Sequence, residues 1–349
     1  MTCKLIFLSV GNADSIVIQD ENSLILVDLG NLNVLAKWLH EQRVSSIDRI
    51  YITHDHKDHF PSLVSLANFL NDWLKIGTIE KLHLPYRAYE VAKRKVLLDR
   101  KNTERNPKLE RLELALNRIT DWRKESSIKL TPIVQDGEEY CNGSLQVKAL
   151  HPSQDYIENH LAVSSAGINE ISIVLQVIYG DFSALLLADI EKAGLAEFLK
   201  TLKRRSSDVT GSQANVVKIP HHGAYPENGE DLQELLALIN AEVAILSVGS
   251  KNTYGHVEPK LFKTLIELQD SQHLKRFLCT EVTRTCVHSA ADYSSMGKRG
   301  LSVTEKCAGT ITIVADTLGI QELQTEIKDH AAKIASFNHA ACDRRADLS

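Results

Sequence analysis

The chain has no long apolar run, no closely paired cysteines and no large excess of charge of either sign. No stretch approaches the ~20 apolar residues that a bilayer-spanning helix needs, so a membrane partner is not expected. Lys and Arg number 40 against 45 Asp and Glu, a formal net charge of −5. That balance gives no general attraction to nucleic acid or anionic membrane, and local charge must decide any such contact. The six cysteines (Cys3, Cys141, Cys279, Cys286, Cys307 and Cys342) include no Cys-x-x-Cys pair, which argues against a zinc finger. Packed, reduced thiols are the expectation, even for Cys279, Cys286 and Cys307, which lie in one region. The start, Met1-Thr2-Cys3-Lys4, lacks the features of a secretory signal, so a cytoplasmic protein is expected. Repeats and low-complexity linkers are missing too. What remains is an ordinary globular composition, 43% apolar and 24% charged, able to bury a sizeable core.

Strand-like runs open the chain at Lys4–Val10, Ser15–Gln19 and Ser23–Asp28, separated by turn signals. Helical periodicity follows at Val34–Gln42, a strand at Arg49–Thr53, a helix near Pro61–Lys75 and a strand at Ile79–Leu84. Residues 87 to about 126 read as a polar helical insertion. From Arg87 through Lys129 there are 13 basic and 7 acidic residues, a local excess of +6. Leu109, Leu112, Leu116 and Ile119 form an apolar stripe, so packing by one face with the charges solvated is expected. Strands resume at Ile128–Val134, Leu145–Leu150, Ile171–Ile178, Ser183–Ala188, Val216–Ile219, Val243–Val248, Arg276–Cys279 and Gly309–Ala315. Helices are expected near Lys192–Leu202, Glu230–Ile239 and Lys260–Glu267, a long loop at 281–306, and a separate tail at 329–349. Strands and helices mixed through both halves favour a layered α/β fold over residues 1–328.

The chemistry is concentrated at residues 53–59, Thr-His-Asp-His-Lys-Asp-His. His54 and His56 are two apart, so an extended loop projects them to one side. Asp58 and His59 can turn toward a second position nearby. Imidazole with carboxylate suits zinc, manganese or iron. Other apolar strands also end in polar clusters: Leu24–Val27 at Asp28-Leu29-Gly30, Leu185–Leu187 at Asp189-Ile190-Glu191, Val216–Ile219 at Pro220-His221-His222-Gly223, and Ala244–Leu246 before His256. Sites of layered sheets collect at strand ends, so these clusters are expected to converge. Of His221 and His222, one is expected to bind metal and the other to be structural; the sequence leaves open which. His160, His273, His288, His330 and His339 have no supporting spacing.

This set resembles the metallo-β-lactamase superfamily. Its most diagnostic motif matches His54-x-His56-x-Asp58-His59, and its first motif matches Asp28 and Gly30. Within it, the chain is most similar to the soluble hydrolase domain of ComEC-type competence proteins. That likeness rests on Val10-Gly11-Asn12-Ala13-Asp14-Ser15, Lys218-Ile219-Pro220-His221-His222-Gly223, and Asn252 with Tyr254-Gly255-His256. It implies a four-layer αββα sandwich with two divalent ions, zinc or manganese, at one edge of the sheets. It also implies that Asp189 bridges them, that one histidine of His221-His222 is a ligand, and that Asp14 is near the site. Where the superfamily has a further histidine, this chain has Asn169, as ComEC-like sequences tend to. The first metal position therefore has fewer imidazoles, and His151 has poor spacing to replace one.

Physical roles follow. Two cations about 3.5–4 Å apart can share a hydroxide and lower its pKa toward ~7. Asp189 offers two oxygens as a bridge. Asp58 can bind one metal and orient the nucleophile. Asp28 is suited to accept an N–H from a ligand histidine and fix its tautomer. Lys218 and His256 are candidates to bind a substrate oxyanion or protonate a leaving group. The resemblance implies a phosphodiesterase or nuclease acting on nucleic acid or a nucleotide, with the basic insertion and Lys203-Arg204-Arg205 touching the backbone. The alternatives are a hydrolase of a small ester, lactone or lactam, and a partner-dependent effector or regulatory subunit.

Overall fold

The computed structural model describes residues 1–99, 106–125, 128–131, 139–160, 167–205, 213–288, 299–337, 339, 340 and 342. Parts of the expected insertion (100–105 and 126), of the strand to Val134, of the long loop (289–298) and of the tail (343–349) lie outside them.

Fifteen strands among the described residues form two sheets. The first, with eight strands, has the order β15-β14-β1-β2-β3-β4-β5-β6. Its members are β1 (Cys3–Phe7), β2 (Ile16–Gln19), β3 (Leu24–Val27), β4 (Ser46–Tyr51), β5 (Thr78–His83), β6 (Lys129–Thr131), β14 (Ile311–Asp316) and β15 (Gly319–Thr325). The second, with seven, has the order β13-β12-β11-β10-β9-β8-β7. It comprises β7 (Glu139–Asn142), β8 (Leu145–His151), β9 (Val174–Tyr179), β10 (Phe182–Leu186), β11 (Val216–Lys218), β12 (Val243–Leu246) and β13 (Arg276–Cys279).

Both faces of these strands are apolar because both are buried. In β1, Leu5 and Phe7 face the other sheet while Ile6 faces outward. In β12, Val243 and Ile245 point inward while Ala244 and Leu246 point outward. One core therefore fills the space between the sheets. On its outer face the first sheet is covered by α1 (Leu32–Glu41), α2 (Leu63–Trp73), α3 (Tyr86–Asp99) and α4 (Pro107–Lys124). The second is covered by α6 (Lys192–Arg205), α7 (Gly229–Ile239) and α8 (Pro259–Asp270). Each fully buried Leu, Ile or Phe contributes roughly 1.5–3 kcal/mol, so three such layers account for the order of the stack. The expected αββα sandwich is present.

The insertion packs by one face, as its stripe requires: Leu116 and Ile119 of α4, with Ala92 and Val96 of α3, close over the outer cluster of the first sheet. The remaining short helices are α5 (Gln154–His160), α9 (Arg284–Val287) and α10 (His330–Ala335). Helices α5 and α9 and strands β7 and β15 are among the described elements that escaped the sequence reading. β7 and β15 are largely polar, with few inward apolar residues; β7 and β15 lie at sheet edges, where one side needs no partner. Helix α9 is four residues inside the expected loop, too short for periodicity to show.

Parallel pairing is confined to β3–β4–β5–β6 in one sheet and β10–β11–β12–β13 in the other. The carboxyl ends of these strands carry the polar clusters of the sequence.

His83 is a buried titratable group outside those clusters. His83, the last residue of β5, stacks on Tyr51 at 4.4 Å. Burial, helped by Lys81 and Arg49, lowers its pKa to about 3. An unfolded histidine takes up its proton near pH ~6.5, so between about pH 6.5 and 3 only the unfolded chain is charged. Stability is then complete above that window and falls as pH drops through it. The His83→Phe variant is expected to flatten this acid limb by a few kcal/mol, read from urea unfolding midpoints at pH 7 and pH 4.5. Parallel slopes for the two proteins would refute it.

Candidate metal centre

Asp28 follows β3 and anchors the centre from below. Its Oδ1 accepts the Thr53 amide at 2.7 Å and its Oδ2 the Thr53 hydroxyl at 2.8 Å. His59 Nδ1 donates to the same Oδ2 at 2.6 Å. The Asp28–Gly30 turn docks directly on the cluster loop: Leu29 N donates to His59 O at 2.9 Å, and Gly30 N to Asp14 O at 2.9 Å. A Cβ on Gly30 would stand 2.2 Å from the Asp58 carbonyl, so only glycine permits this approach.

The same wiring orients each ring. His54 Nδ1 is 3.1 Å from the Thr53 hydroxyl, which itself donates to Asp28. His222 Nδ1 donates to the Ser247 carbonyl at 2.8 Å. With their Nδ1 atoms so engaged, His54, His59 and His222 turn Nε2 lone pairs toward one another. His59 Nε2 is 3.2 Å from His222 Nε2, and His54 Nε2 is 3.2 Å from His56 Nδ1. Asp189, after β10, lies among them. Its Oδ1 is 3.1 Å from His59 Nε2, and its Oδ2 is 3.6 Å from His222 Nε2, 3.9 Å from His54 Nε2 and 4.0 Å from His221 Nε2. Asp58 Oδ2 is 3.5 Å from His222 Nε2. Ring nitrogens from both sheets thus converge on one carboxylate. Asp14, His59, Asp189 and His222, all buried, can each direct a donor atom at a common point.

Charge in this centre is high and buried. Despite burial, which opposes it, Asp189 and Asp28 hold the His59 imidazole well above its ordinary range. Burial and the neighbouring His59 push His54 well below it. Asp189 and Asp58 stay low against burial, Asp189 through His59 and His222, Asp58 through its hydrogen bond to His222 and through His59. Asp28 is raised, chiefly by burial.

Backbone strain gathers here as well. Asp28, Ala188, His221 and His222 have φ of 58°, 47°, 50° and 51°, a region costly for residues with a Cβ. The consecutive left-handed pair sends His221 and His222 in different directions. His222 is buried against His59. His221 is partly exposed, donates from Nδ1 to Glu191 Oε2 at 3.1 Å, and has the Asn169 amide 3.4 Å from Nε2. Although burial works against it, the Glu191 hydrogen bond and Asp189 raise the His221 pKa.

A cleft of about 560 Å³ opens above the centre, lined by Asn12, Asp55, His56, Lys57, Asp58, Asp189, His221, His222, Tyr254 and His256. Asn252 shapes its far wall: its Oδ1 accepts the Gly255 and His256 amides at 2.7 and 3.0 Å. Tyr254 is exposed and lies nearly parallel to His256, ring centroids 5.7 Å apart.

All the expected site residues except His256 therefore sit in the cluster or against it, and His256 lines the cleft. Lys218 requires a correction. It is fully buried, ion-paired with Asp14, and donates to the Ala188 carbonyl at 2.9 Å. Its strand position points it beneath Asp189, so it cannot meet a substrate oxyanion. His151 donates toward the Glu170 carbonyl, 2.9 Å away, and packs near Phe198; it does not replace the imidazole that Asn169 lacks. No described residue of the insertion lines the cleft, and Lys203 pairs with Glu234 at 2.5 Å. The sequence reading missed Glu191, Ser247 and Tyr254 as site residues. Glu191 adjoins Asp189 and was legible by proximity; Ser247 acts through its carbonyl, which no sequence signal marks.

Two packed sheets with outer helices, and a His/Asp centre where their parallel strands end, define the metallo-β-lactamase fold. No family model matches the chain. It is similar to ComE operon protein 3 of Bacillus subtilis (strain 168), 26% identical over 253 residues. That match covers 72% of this chain and 26% of the relative, so the chain spans about a quarter of that protein's length. Among solved structures it is similar to the metallo-β-lactamase fold protein YhfI of Bacillus subtilis, with a TM-score of 0.41 and 11% identity over 75% of this chain and 93% of that one. It is similar also to Igni18, a metallo hydrolase of Ignicoccus hospitalis, with a TM-score of 0.42 and 11% identity over 78% and 93%. A third is CmlA, a diiron β-hydroxylase of Streptomyces venezuelae, with a TM-score of 0.43 and 14% identity over 77% and 51%. At these scores the likeness is too distant to bear on activity.

Proposed function

We propose that the chain is a metal-dependent phosphodiesterase acting on nucleic acid or a nucleotide. The observation that carries this reading is the convergence of imidazole nitrogens from both sheets on Asp189, at the floor of an open cleft. His59 and His222, whose Nδ1 atoms are committed as donors, bring their Nε2 atoms to 3.2 Å of each other beside Asp189, where a bound cation could take the place of the proton on His59. Asp189 Oδ1, 3.1 Å from His59 Nε2, would be a further oxygen donor to that cation. The donor set fits zinc or manganese. His54, His56 and Asp189 would hold one ion, and Asp58, His59, His222 and Asp189 a second. His221, steadied by Glu191, stands beside Asn169 where the first position has an amide in place of a ring. Bound there, divalent ions would supply Lewis-acid activation of water and neutralise charge on an anionic substrate.

The remaining roles belong to the chain. Asp58, kept as a carboxylate by His222 and His59, orients the attacking water. His256, across the cleft, donates a proton to the leaving oxygen. Lys57 and Asn12 contact the phosphate at the wall. Tyr254 favours a nucleotide over a lactam or small ester, because an exposed ring at the mouth of the cleft offers a base a surface to stack on, worth about 1–3 kcal/mol per base.

The test is cleavage of labelled single- and double-stranded DNA and RNA by metal-stripped protein refilled with manganese or zinc, with Asp58→Ala in parallel. Metal-dependent cutting that Asp58→Ala abolishes supports the proposal. No cutting by fully metallated protein rejects a stand-alone nuclease and turns to small esters or a partner-activated enzyme. The Asp28→Asn variant tests the anchoring. It keeps the shape but weakens the acceptor for His59, and metal affinity is expected to fall about 10–100-fold in a chelator competition titration.

A further inference from the structure

The segment 247–258 carries Tyr254 and His256 across the cleft, and both of its ends are fixed at the metal side. The Ser247 carbonyl holds the His222 ring at 2.8 Å, and Glu258 N donates to Gly223 O at 2.9 Å. Between those ends the backbone forms no strand or helix. Its buried polar groups must therefore be satisfied by other means. One side chain meets much of that need. Asn252 is buried inside the loop. Its Oδ1 accepts the Gly255 amide at 2.7 Å and the His256 amide at 3.0 Å, and its Nδ2 donates to the Gly249 and His256 carbonyls, both at 2.7 Å. A side-chain amide has two N–H donors and two acceptor lone pairs, and here all are used.

The outside of the loop is closed as tightly. Gly300 N donates to Asn252 O and Leu301 N to Ser250 O, each at 2.7 Å. A Cβ on Gly300 would stand 2.3 Å from Ser250 O and 2.5 Å from Asn252 O, so this second segment lies directly against the first. Ser250 N donates to the buried Glu281 carboxylate at 2.7 Å. The loop is thus pinned at its ends, filled by one amide and backed by a neighbouring strap.

We propose that Asn252 is a positioning residue for the hydrolysis. By binding both backbone groups of His256 it fixes that imidazole where it can protonate the leaving oxygen, and through Gly255 it sets the Tyr254 ring alongside. The His256 ring then stands with its centroid 5.5 Å from that of His221 and 5.7 Å from that of Tyr254. Asn252 itself lies behind the wall rather than in the cleft lining, so it acts through these two side chains. A misplacement of about 1 Å in a reacting group can cost ~10²-fold in rate. This inference rests on the phosphodiesterase reading above and adds the residue that makes its proton donor effective. In the step concerned, the oxygen of water bonds to phosphorus and loses a proton to solvent. The bond from phosphorus to the leaving oxygen breaks, that oxygen keeps the electron pair, and His256 gives it a proton.

The test compares two phosphodiesters with the full, manganese-loaded chain. One is the dinucleotide thymidylyl-thymidine, whose leaving alkoxide must be protonated. The other is the p-nitrophenyl ester of thymidine 5′-monophosphate, whose nitrophenolate departs without a proton. Asn252→Ala is expected to lower kcat on the dinucleotide by about 10²-fold, the scale of general-acid catalysis, with little loss on the nitrophenyl ester. His256→Ala is expected to do the same, and the double variant to be no slower than His256→Ala alone. Gly300→Ala pushes the loop from outside and is expected to show the same selectivity, so the proposal stays testable if Asn252→Ala does not fold. Bound metal should match the parent in every variant. Equal losses on both esters, losses that multiply in the double variant, or lost metal would overturn the proposal by showing a merely structural role. Unchanged kcat on the dinucleotide would overturn it as well, as would a parent chain that cuts only the nitrophenyl ester. A parent that cuts neither ester rejects the phosphodiesterase reading itself, and the inference with it, before any variant is compared.

Discussion

Replacing Asp189 by asparagine is expected to remove metal-dependent turnover, by about 10³-fold or more, while leaving the fold intact. The expectation rests on position. Four imidazoles, those of His54, His59, His221 and His222, come within 4.0 Å of this one carboxylate. An amide keeps the shape but loses the charge and one acceptor oxygen, so it would be a poor ligand at the centre of these imidazoles. Loss of several kcal/mol of transition-state stabilisation from a metal corresponds to this factor at ~1.36 kcal/mol per decade. Metal analysis of the purified variant and the nucleic-acid cleavage assay measure the two halves separately. A variant that binds metal as the parent does and keeps full activity would remove Asp189 from the centre.

The largest effect on stability is expected from Lys218→Ala. Lys218 is buried beneath the site, paired with Asp14 and 3.7 Å from Asp189 Oδ1. Burial opposes its charge, yet Asp14 and Asp189 raise its pKa above the usual value of 10.5. A group whose folded pKa is raised contributes fully below its unfolded pKa and loses that contribution only as pH climbs through the folded value. At neutral pH the pair is therefore intact. Removing one partner of a buried ion pair strands the other, at a cost of about 3–5 kcal/mol. Urea unfolding of the metal-free protein reads this directly, free of any stabilisation by bound ions. The double variant Lys218→Met with Asp14→Leu removes both charges and is expected to recover most of the loss. If Lys218→Ala is as stable as the parent, the ion pair has no structural role.

Lys218 also shows where sequence reasoning stopped. A lysine at a strand end before Pro220-His221-His222 reads as a substrate-facing cation. It is instead a counter-charge under the centre, because the pleat at this position points inward and the Asp14 turn, 204 residues earlier in number, is folded beneath it. His221 and His222 are similar. The sequence could say that one of two neighbours would face the cluster. The left-handed backbone at both residues decided that His222 meets His59 while His221 turns to Glu191.

By itself the sequence determined the layered fold, the His54–His59 cluster and the strands whose ends would supply Asp28, Asp189 and the His221-His222 pair. These are local properties: period-two burial, apolar runs and ligand types spaced two or three residues apart are written in contiguous residues. Only the tertiary structure decided which ring nitrogens face one another, that the described residues of the basic insertion do not line the cleft, that Tyr254 stands at its mouth, and that four distant cysteines join one buried cluster. Those outcomes depend on how two sheets are registered and stacked, and contacts between segments far apart in the chain are fixed by that packing rather than by any spacing along it.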